Sequence, residues 1–378
     1  MAQKILLAAG IFYPDVGGPA IHVMKIAERL SKEGFLVTVL AYGEDKTCTQ
    51  FPFKVVRVSR RLPKIIQWLW YLICALREAS RSALVYAFDP TAAGVPASFA
   101  AKLFGKPFVI RIGGDPIWER VIEKGKRFIT IQEYYENGLY RVDSPSVFKT
   151  ISKVLERSGA VVVYNQFFKD FYHKYFGIEE SKIHIVKNPV FKRESAAKAL
   201  SDNPMIIFAG RFVAYKNLPM LISAFAKVRQ KLQKGRLLLI GKGPDESKLK
   251  QLVGELSLDS AVTFVASLPQ DKLFLEIKNA DIAVGPALNE FNPNFILEAL
   301  SFGKPVLLSR GHGLSVDLPD VFLFDPLKES ELEGRIANMF DQAQYAKATD
   351  EVARLDLNQT WDKVTDFHLD LIKKTCQK

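Results

Sequence analysis

The sequence predicts an α/β protein built from two doubly wound, Rossmann-like domains. The chain has 378 residues, which exceeds the size at which one hydrophobic core normally stops growing. Continuous apolar runs alternate with amphipathic runs of helical spacing, an order typical of parallel strands joined by helices. This alternation stops once, in the polar stretch FKRESAAKALSDNP at 191–204, and then restarts. A chain of this kind is expected to contain two domains of similar size.

The first half begins with a βαβ unit. Residues 4–10, KILLAAG, form an apolar run that predicts a buried strand, residues 22–34 have helical spacing and stop at Gly34, and LVTVLAYG follows as a second strand. The crossover of such a unit is expected to be right-handed. The other elements predicted in this half are strands at 83–88, 107–112, 160–165 and 182–188, and a helix over 92–104.

The second half repeats the same order of elements, with predicted strands at 205–211, 236–243, 262–268, 281–287, 305–310 and 321–325 and a helix over 218–232. We therefore predict an N-terminal domain of residues 1–195 and a C-terminal domain of residues 196–360. Residues 361–378 are predicted to form an amphipathic helix that could pack back onto the N-terminal domain. Because ligands bind at the carboxyl ends of parallel strands, the binding site is expected in a cleft between the two domains.

The positive charge is concentrated in the first half. Residues 1–200 contain 30 Lys and Arg against 18 Asp and Glu, a net charge of +12, whereas the remainder has a net charge of −1. This asymmetry suggests an anionic partner, such as a membrane surface, a phosphorylated acceptor or a nucleic acid. The alternative is that the positive charge only keeps the protein soluble.

The three cysteines are too few and too scattered for a disulfide framework or a zinc site, which favours a reducing compartment. The apolar core of the N-terminus, residues 5–10, is too short for a secretory signal. The expected location is therefore the cytoplasm.

Residues 60–81, RRLPKIIQWLWYLICALREASR, are strongly apolar and flanked by cations. The unbroken apolar part, residues 68–76, is about half as long as a bilayer span requires. The first expectation is a helix buried in the domain core, and the alternative is a helix that lies on an anionic lipid surface.

Four strand-to-helix loops carry candidate chemistry. Gly17 and Gly18 precede the first helix, where they would leave the helix amides accessible to an anion. Alternatively, the two glycines only form a turn. Arg211 and Lys216, in GRFVAYKN, would suit a diphosphate, or are solvated surface charges. The loop IGKGPDE at 240–246 has Glu246 where a dinucleotide-binding fingerprint has its third glycine. This difference argues against an enzyme that uses a nicotinamide cofactor.

The fourth loop is NEFNPNFILEALSFGKPV, residues 289–306. Pro293 suits the start of a helix, so the amides of Asn294 and Phe295 would face the site and Glu298 would lie on the first turn. The helix dipole by itself can account for Glu298. It does not account for Glu290, which precedes the helix.

These segments resemble the retaining, nucleotide-sugar-dependent glycosyltransferases of the GT-B fold, glycosyltransferase family 4 (glycosyl transferases group 1). The resemblance covers nearly the whole chain, and it depends on the order and spacing of its pieces. They are the GG loop and helix at 17–34, GKPFVIRIGGD at 105–115, KNPV at 187–190, GRFVAYKN at 210–217, IGKGP at 240–244 and the Glu-x7-Glu segment at 290–298.

The resemblance implies a role for each matching residue. Arg211 and Lys216 bind the donor diphosphate, Glu298 binds the ribose hydroxyls, and Glu290 lies near the transferred sugar. The implied chemistry is a front-face substitution with retention, in which positioning and electrostatics supply most of the rate. The residues implied in donor binding are Gly17, Gly18, Gly210, Arg211, Lys216, Gly241, Glu290, Asn294, Phe295 and Glu298, and those implied in catalysis are Glu290, Arg211, Lys216 and Asp115.

Two departures from the family pattern concern the sugar. Many relatives have a histidine where this chain has Gly113, so no catalytic histidine is predicted, and Arg111 or Asp115 could face the acceptor or hold the loop. Phe291-Asn292-Pro293 stands where Gly-Phe-Gly is common, which alters the surface that faces the sugar. His22 is expected to cap or pack its helix, with a direct role in binding as the alternative.

The resulting expectation is a transferase that moves a sugar from a UDP- or GDP-linked donor to a glycan or lipid-linked acceptor. It would act in cell-surface polysaccharide or glycoconjugate synthesis, in the cytoplasm and on the inner face of the plasma membrane, without a cofactor or metal. A GT-B nucleotide-sugar epimerase and a basic, non-catalytic nucleic-acid-binding protein are the alternatives, although no nucleic-acid-binding motif is present in the sequence.

Overall fold

The computed structural model describes residues 2–15, 18–44, 50–193 and 199–377, and Gly17 lies outside them. The chain divides into two compact units. Unit 1 comprises the described residues of Met1–Ile117, Gly138–Pro189 and Thr360–Lys378, and unit 2 comprises those of Trp118–Asn137 and Val190–Gln359. This division differs from the two contiguous domains expected from the sequence, because Trp118–Asn137 is part of unit 2.

The strands of unit 1 are β1 (Lys4–Ala9), β2 (Leu36–Tyr42), β3 (Lys54–Val58), β4 (Leu84–Ala87), β5 (Phe108–Arg111), β6 (Ala160–Val163) and β7 (Ile183–Ile185). They form one sheet in the order β3-β2-β1-β4-β5-β6-β7, and all neighbours are parallel. This is the strand order of a doubly wound Rossmann-like fold with one added edge strand. The edge strand β3 escapes sequence prediction because Lys54 and Arg57 break the continuous apolar run that marks a buried parallel strand.

The helices of unit 1 lie between these strands. Helix α8 shows how the sequence sets their ends: the side chain of Asn165 accepts a hydrogen bond from the amide of Phe168, and Gly177 ends the helix at a φ of 67°. The helices are α1 (Gly18–Lys32), α2 (Lys64–Ser80), α3 (Gly94–Leu103), α6 (Tyr140–Asp143), α7 (Pro145–Glu156), α8 (Gln166–Phe176) and α15 (Trp361–Cys376). Helix α4 (Pro116–Glu123) begins in unit 1 and continues into unit 2.

Unit 2 repeats the plan. Its strands are β8 (Val190–Phe191), β9 (Met205–Ala209), β10 (Arg236–Ile240), β11 (Val262–Val265), β12 (Ile282–Gly285), β13 (Val306–Ser309), β14 (Leu323–Phe324) and β15 (Asn358–Gln359). Its helices are α5 (Ile131–Glu136), α9 (Leu218–Leu232), α10 (Glu246–Glu255), α11 (Gln270–Asn279), α12 (Asn294–Ser301), α13 (Glu329–Met339) and α14 (Gln342–Arg354). The main sheet is parallel, in the order β11-β10-β9-β12-β13-β14, and β8 pairs with β15 in an antiparallel ribbon.

The C-terminal helix α15 belongs to the core of unit 1 and packs against α1. Val364 and Ile372 are fully buried in the same apolar cluster as Val23 of α1. The side chain of Thr360 caps the start of the helix by accepting a hydrogen bond from the amide of Lys363. The core of unit 1 is therefore made from residues at both ends of the chain.

Helix α2 is not buried in the core as first expected. Its inward face carries Gln67, Tyr71 and Glu78, which are at most 5% exposed. These polar groups tolerate burial because each has a partner: the Tyr71 hydroxyl donates to the carbonyl of Leu40 (3.0 Å), and Glu78 accepts from two lysines. Six large apolar side chains of the helix point to solvent instead, and they are Ile65, Ile66, Trp68, Leu69, Trp70 and Ile73.

None of the helices within the described ranges combines the length and the apolar character needed to cross a membrane.

Two buried histidines make unit 1 sensitive to acid. His22 is 3% exposed and His368 is not exposed. Burial, with the nearby charge of Arg111, holds the pKa of both imidazoles well below its ordinary value of 6.5. Below pH 6.5 the unfolded chain therefore binds two protons that the folded unit does not, and stability falls as the pH falls.

We expect the free energy of unfolding of unit 1 to decrease by about 2–3 kcal/mol between about pH 7.5 and pH 5.5. Urea denaturation at the two pH values measures this change. The variant His368→Gln should remove about half of it. An unchanged urea midpoint in the wild-type protein would contradict the expectation.

Candidate functional site

The predicted donor residues of the second half of the chain lie at one edge of the unit 2 sheet. Strand β9 has β10 on one side and β12 on the other, and all three run in the same direction. Their carboxyl ends therefore meet at the same edge, and the loop that follows each strand begins there. The predicted residues in these loops and in the helix that follows the third are Gly210, Arg211, Lys216, Gly241, Glu290, Asn294, Phe295 and Glu298.

Lys216 and Glu290 form an ion pair. The Lys216 ammonium nitrogen lies 2.5 Å from Oε1 of Glu290, and the two side chains are 16% and 11% exposed. A charge pair with so little solvent around it is screened weakly, so each partner strongly fixes the position of the other. The structure thus brings together a predicted phosphate ligand and a predicted sugar contact, a pairing that sequence reasoning did not reveal.

His312 lies beside Glu290. The two residues form an isolated parallel β-bridge, and the amide of Gly313 donates to the Glu290 carbonyl oxygen. Nδ1 of His312 accepts from the amide of Leu314, and burial lowers the pKa of this imidazole to about 4. The ring is therefore neutral at physiological pH, and the backbone at His312 and Gly313 holds the backbone of the glutamate in place.

Arg211 is held by the side chain of Tyr215. Its Nη2 donates to the Tyr215 hydroxyl at 2.5 Å, and the Lys216 ammonium lies 5.3 Å from the centre of the same ring. Burial and the charge of Glu119 raise the pKa of the Tyr215 phenol, which therefore stays neutral. Both predicted phosphate-binding cations thus rest on one buried aromatic ring.

Residues from the first half of the chain also border this site. Trp118 is fully buried in unit 2, 5.8 Å from the ring of Tyr215 and 6.5 Å from that of Phe291. Its indole nitrogen donates to the carbonyl of Ile129 within the same segment. The segment 118–137 therefore supports the loop that carries Glu290, and no motif in the sequence indicates this.

Gly241 allows the loops after β9 and β10 to approach each other. It has a φ of 149°, and a Cβ atom there would overlap the carbonyl oxygen of Gly210. A larger residue at position 241 would separate the two loops, so glycine is needed for this geometry. A Cβ atom at Gly210 would instead lie 3.0 Å from the ring of Phe208, within β9.

Helix α12 begins at Asn294, after Pro293, whose side chain supplies no capping hydrogen bond. Glu298 is the fifth residue of the helix and lies on its second turn, so the expected position on the first turn was wrong. Counted from Pro293 it would be the sixth residue, so Glu298 lies beyond the first turn for either start of the helix. Oε1 of Glu298 accepts from Gln270 at 3.1 Å, and burial raises the pKa of this carboxyl although Gln270 and Arg193 oppose the shift.

The predicted site residues in unit 1 make contacts typical of helix ends and packing. Gly18 is the first residue of α1, and Asp115 is buried with Oδ1 accepting the amide of Ile117 at the start of α4. That contact is typical of a residue that caps a helix and holds a loop. His22 packs edge-on against the ring of Trp361, with the two ring centres 4.8 Å apart.

Arg111 and Gly113 lie beside Tyr164. The Arg111 guanidinium donates to Asn188 at 2.8 Å and stacks 4.7 Å from the centre of the Tyr164 ring. A Cβ atom at Gly113 would come within 2.8 Å of the Tyr164 hydroxyl. Tyr164 therefore occupies the space that a side chain at position 113 would need.

The described residues contain no group of three or more His, Cys, Asp or Glu side chains arranged to hold a metal ion.

Two family models match the chain. The model for Glycosyltransferase Family 4 matches residues 16–191, and the model for Glycosyl transferases group 1 matches residues 191–355. An uncharacterised glycosyltransferase of Methanocaldococcus jannaschii is 26% identical over 340 residues, which cover 82% of each chain. The sulfoquinovosyl transferase of Arabidopsis thaliana is 30% identical over 149 residues, 37% of this chain and 28% of that protein.

Solved structures share the fold over nearly the whole chain. The structure of Anabaena HepE in complex with UDP and glucose superposes with a TM-score of 0.76 at 17% identity and covers 98% of this chain and 100% of that one. Sucrose-phosphate synthase from Thermosynechococcus elongatus gives a TM-score of 0.74 at 18% identity, with 98% of both chains covered. The two Rossmann-like units therefore have the GT-B fold.

Proposed function

Since this chain belongs to the family 4, group 1 glycosyltransferases, we propose that it transfers a sugar from a UDP- or GDP-linked donor to a glycan or lipid-linked acceptor, with retention of configuration. The family matches favour neither the epimerase nor the nucleic-acid-binding alternative. The observation that carries the proposal is the grouping of Arg211, Lys216 and Glu290 at one edge of the unit 2 sheet. Support also comes from HepE, whose structure holds UDP and glucose.

In the proposed complex, Arg211 and Lys216 bind the donor diphosphate. The bond from the sugar to the phosphate oxygen breaks in the transition state, and negative charge grows on that oxygen. Two cations fixed on the Tyr215 ring stabilise this charge without having to move. We propose that they do so without a divalent metal ion, and that the leaving oxygen accepts the proton of the acceptor hydroxyl.

Glu290 has a second role in this proposal. Its ion pair holds Lys216 in place before the donor binds, and the ammonium group has two further N–H donors for phosphate oxygens. We propose that the same carboxylate also contacts the transferred sugar. In this proposal Glu290 positions Lys216, which binds the phosphate, and also contacts the sugar.

Glu298 is proposed to accept hydrogen bonds from the two ribose hydroxyls, and Asp115 in unit 1 is proposed to face the acceptor. A carboxylate accepts two vicinal hydroxyl protons well. We place the reaction in cell-surface polysaccharide or glycoconjugate synthesis, in the cytoplasm on the inner face of the plasma membrane. The basic first half of the chain supports an acceptor of this kind, because lipid-linked acceptors lie at an anionic surface.

Thermal unfolding with UDP, GDP, ADP and their sugars tests the proposal. A ligand that binds only the folded protein should raise the Tm by about 5 °C at saturating concentration. Glu298→Ala should lower nucleotide affinity by about 10–100-fold, because it removes hydrogen bonds to a charged acceptor. Glu255→Ala is the matched control, since Glu255 also accepts from a helical glutamine but lies on α10.

Donor hydrolysis and sugar transfer are then assayed with the nucleotide that binds. NMR of the product should show the same anomeric configuration as the donor. If no nucleoside diphosphate or nucleotide sugar shifts the Tm, or if Glu255→Ala and Glu298→Ala weaken binding equally, the proposed donor site is wrong.

A further inference from the structure

We infer that the outer face of α2 docks on an anionic lipid bilayer. This α2 apolar face consists of Ile65, Ile66, Trp68, Leu69, Trp70 and Ile73, each 40–76% exposed. Single exposed apolar residues are common on monomeric proteins, whereas six large ones on two and a half turns of one helix mark an interaction surface.

Helix α2 exposes its large apolar side chains, and its buried face combines Gln67, Tyr71 and Glu78 with Ala75 and Ala79. An ordinary surface helix buries its large apolar side chains and exposes its polar ones. Helix α2 instead turns Gln67, Tyr71 and Glu78 inward, where the Gln67 amide donates to the carbonyl of Leu62 at 2.6 Å and Glu78 bonds Lys4 and Lys54 at 2.6 Å. The inward contacts fix the helix, so its apolar residues cannot turn into the core.

The ends of α2 carry the charge that an anionic surface would attract. Arg61 and Lys64 are exposed at its N-terminal end, and Arg77 and Arg81 at its C-terminal end. None of these four cations forms an ion pair with another described residue. The surrounding half of the chain is also strongly basic, with a net charge of +12 over residues 1–200. Exposed Ile, Leu and Trp side chains bordered by Lys and Arg are the composition of a helix that lies in a lipid interface.

This charge distribution favours lipid over a second copy of the chain. If two copies met through the α2 apolar face, the four cations of each would be brought close to those of the other. Like charges at an interface oppose association, whereas lipid phosphates neutralise them. Trp68 and Trp70 also suit the boundary between acyl chains and head groups, because indole has an apolar body and a polar N–H.

Docking through this face would bring the candidate loops of unit 1 close to the bilayer. The loop before α2 contacts the loop after β1: Arg60 pairs with Asp15 at 2.6 Å, and Arg57 donates to the carbonyl of Tyr13 at 2.7 Å. This step rests on the proposed function: a lipid-linked acceptor would reach the carboxyl edge of the unit 1 sheet directly from the membrane.

Co-sedimentation with lipid vesicles tests the inference. The full-length protein should bind vesicles of phosphatidylglycerol and phosphatidylcholine, bind vesicles of phosphatidylcholine alone much more weakly, and dissociate as salt is added. Emission from Trp68 and Trp70 should shift to shorter wavelength on binding and be quenched by lipids brominated on their acyl chains. Trp118 is fully buried and should not respond.

The double variant Ile66→Ser/Ile73→Ser should lower vesicle binding by at least about tenfold, because it removes two apolar side chains from the interface. Leu275→Ser is the matched control, since Leu275 and Ile73 are both 52% exposed but Leu275 lies on α11 of unit 2. Arg61→Gln and Lys64→Gln should each weaken binding to anionic vesicles by roughly fivefold.

Absence of binding to anionic vesicles, or equal binding by Ile66→Ser/Ile73→Ser and the wild-type protein, would overturn the inference. So would a wild-type dimer in solution that Ile73→Ser converts to monomers, because the face would then be a protein interface. Donor hydrolysis without vesicles separates this inference from the proposed function. The double variant should keep its full rate there, and a wild-type protein that binds vesicles but hydrolyses no donor refutes only the proposed function.

Discussion

Replacing Lys216 with methionine is expected to lower kcat/KM for sugar transfer by about 10²–10³-fold, the loss typical when one group that stabilises transition-state charge is removed. Methionine keeps the length of the side chain but carries no charge. The Glu290 side chain, 11% exposed, would then have no cation and would stand beside the anionic donor. The variant therefore loses an attraction and gains a repulsion at the same site.

Two comparisons make this prediction specific. Lys231 and Glu333 form an ion pair with the same 2.5 Å distance in the same unit, but the Lys231 side chain is 68% exposed, so Lys231→Met should change kcat/KM by less than twofold. The double variant Lys216→Met/Glu290→Gln should lose less than the sum of the two single losses, because the unpaired carboxylate is gone. Additive losses, or near wild-type activity in Lys216→Met, would contradict the proposed role of the pair.

Gly241→Ala is expected to destabilise unit 2 by about 3 kcal/mol and to abolish most donor binding. An alanine methyl group there would overlap the Gly210 carbonyl oxygen, which belongs to the backbone and cannot move aside as a flexible side chain could. The φ of 149° is also unfavourable for any residue with a Cβ atom. The overlap is relieved only if the loops after β9 and β10 move apart, and the loop after β9 carries Arg211 and Lys216.

Gly254→Ala is the control for this substitution. Gly254 lies within α10, and a Cβ atom there meets no other group within 4 Å. Alanine should therefore stabilise that helix by about 0.5–1 kcal/mol. Urea denaturation measures both changes, and nucleotide titration measures donor binding. Equal stability of Gly241→Ala and the wild-type protein would show that the two loops do not need their close approach.

Most of the fold could be predicted because parallel strands are buried on both faces and therefore appear as continuous apolar runs. The helix predicted over 218–232 is confirmed at both ends. The grouping of Arg211, Lys216 and Glu290 also follows from the sequence, since residues after neighbouring parallel strands must meet at one edge of the sheet. Their functional roles stay predictions.

The remaining features depend on contacts that periodicity does not encode. Trp118 lies far from Tyr215 in sequence, and no local pattern places it in the second unit. The exposed face of α2 was only the alternative expectation because hydrophobicity usually indicates burial, and the partners of Gln67, Tyr71 and Glu78 decide which side faces inward. Glu298 lies beyond the first turn of α12 whether the helix begins at Pro293 or at Asn294, so a residue count from the sequence was enough to place it on the second turn.

The place of α15 in unit 1 sets the order in which the two units can be completed during synthesis. Ribosomes release the chain from its N-terminus, so the first unit of most proteins can fold before the second is made. Here unit 2 is complete once Gln359 has emerged, whereas unit 1 still lacks the helix that carries Val364 and Ile372. Until those last residues leave the ribosome, the apolar side of α1 stays uncovered, and the part of the protein that is translated first is the part that is finished last.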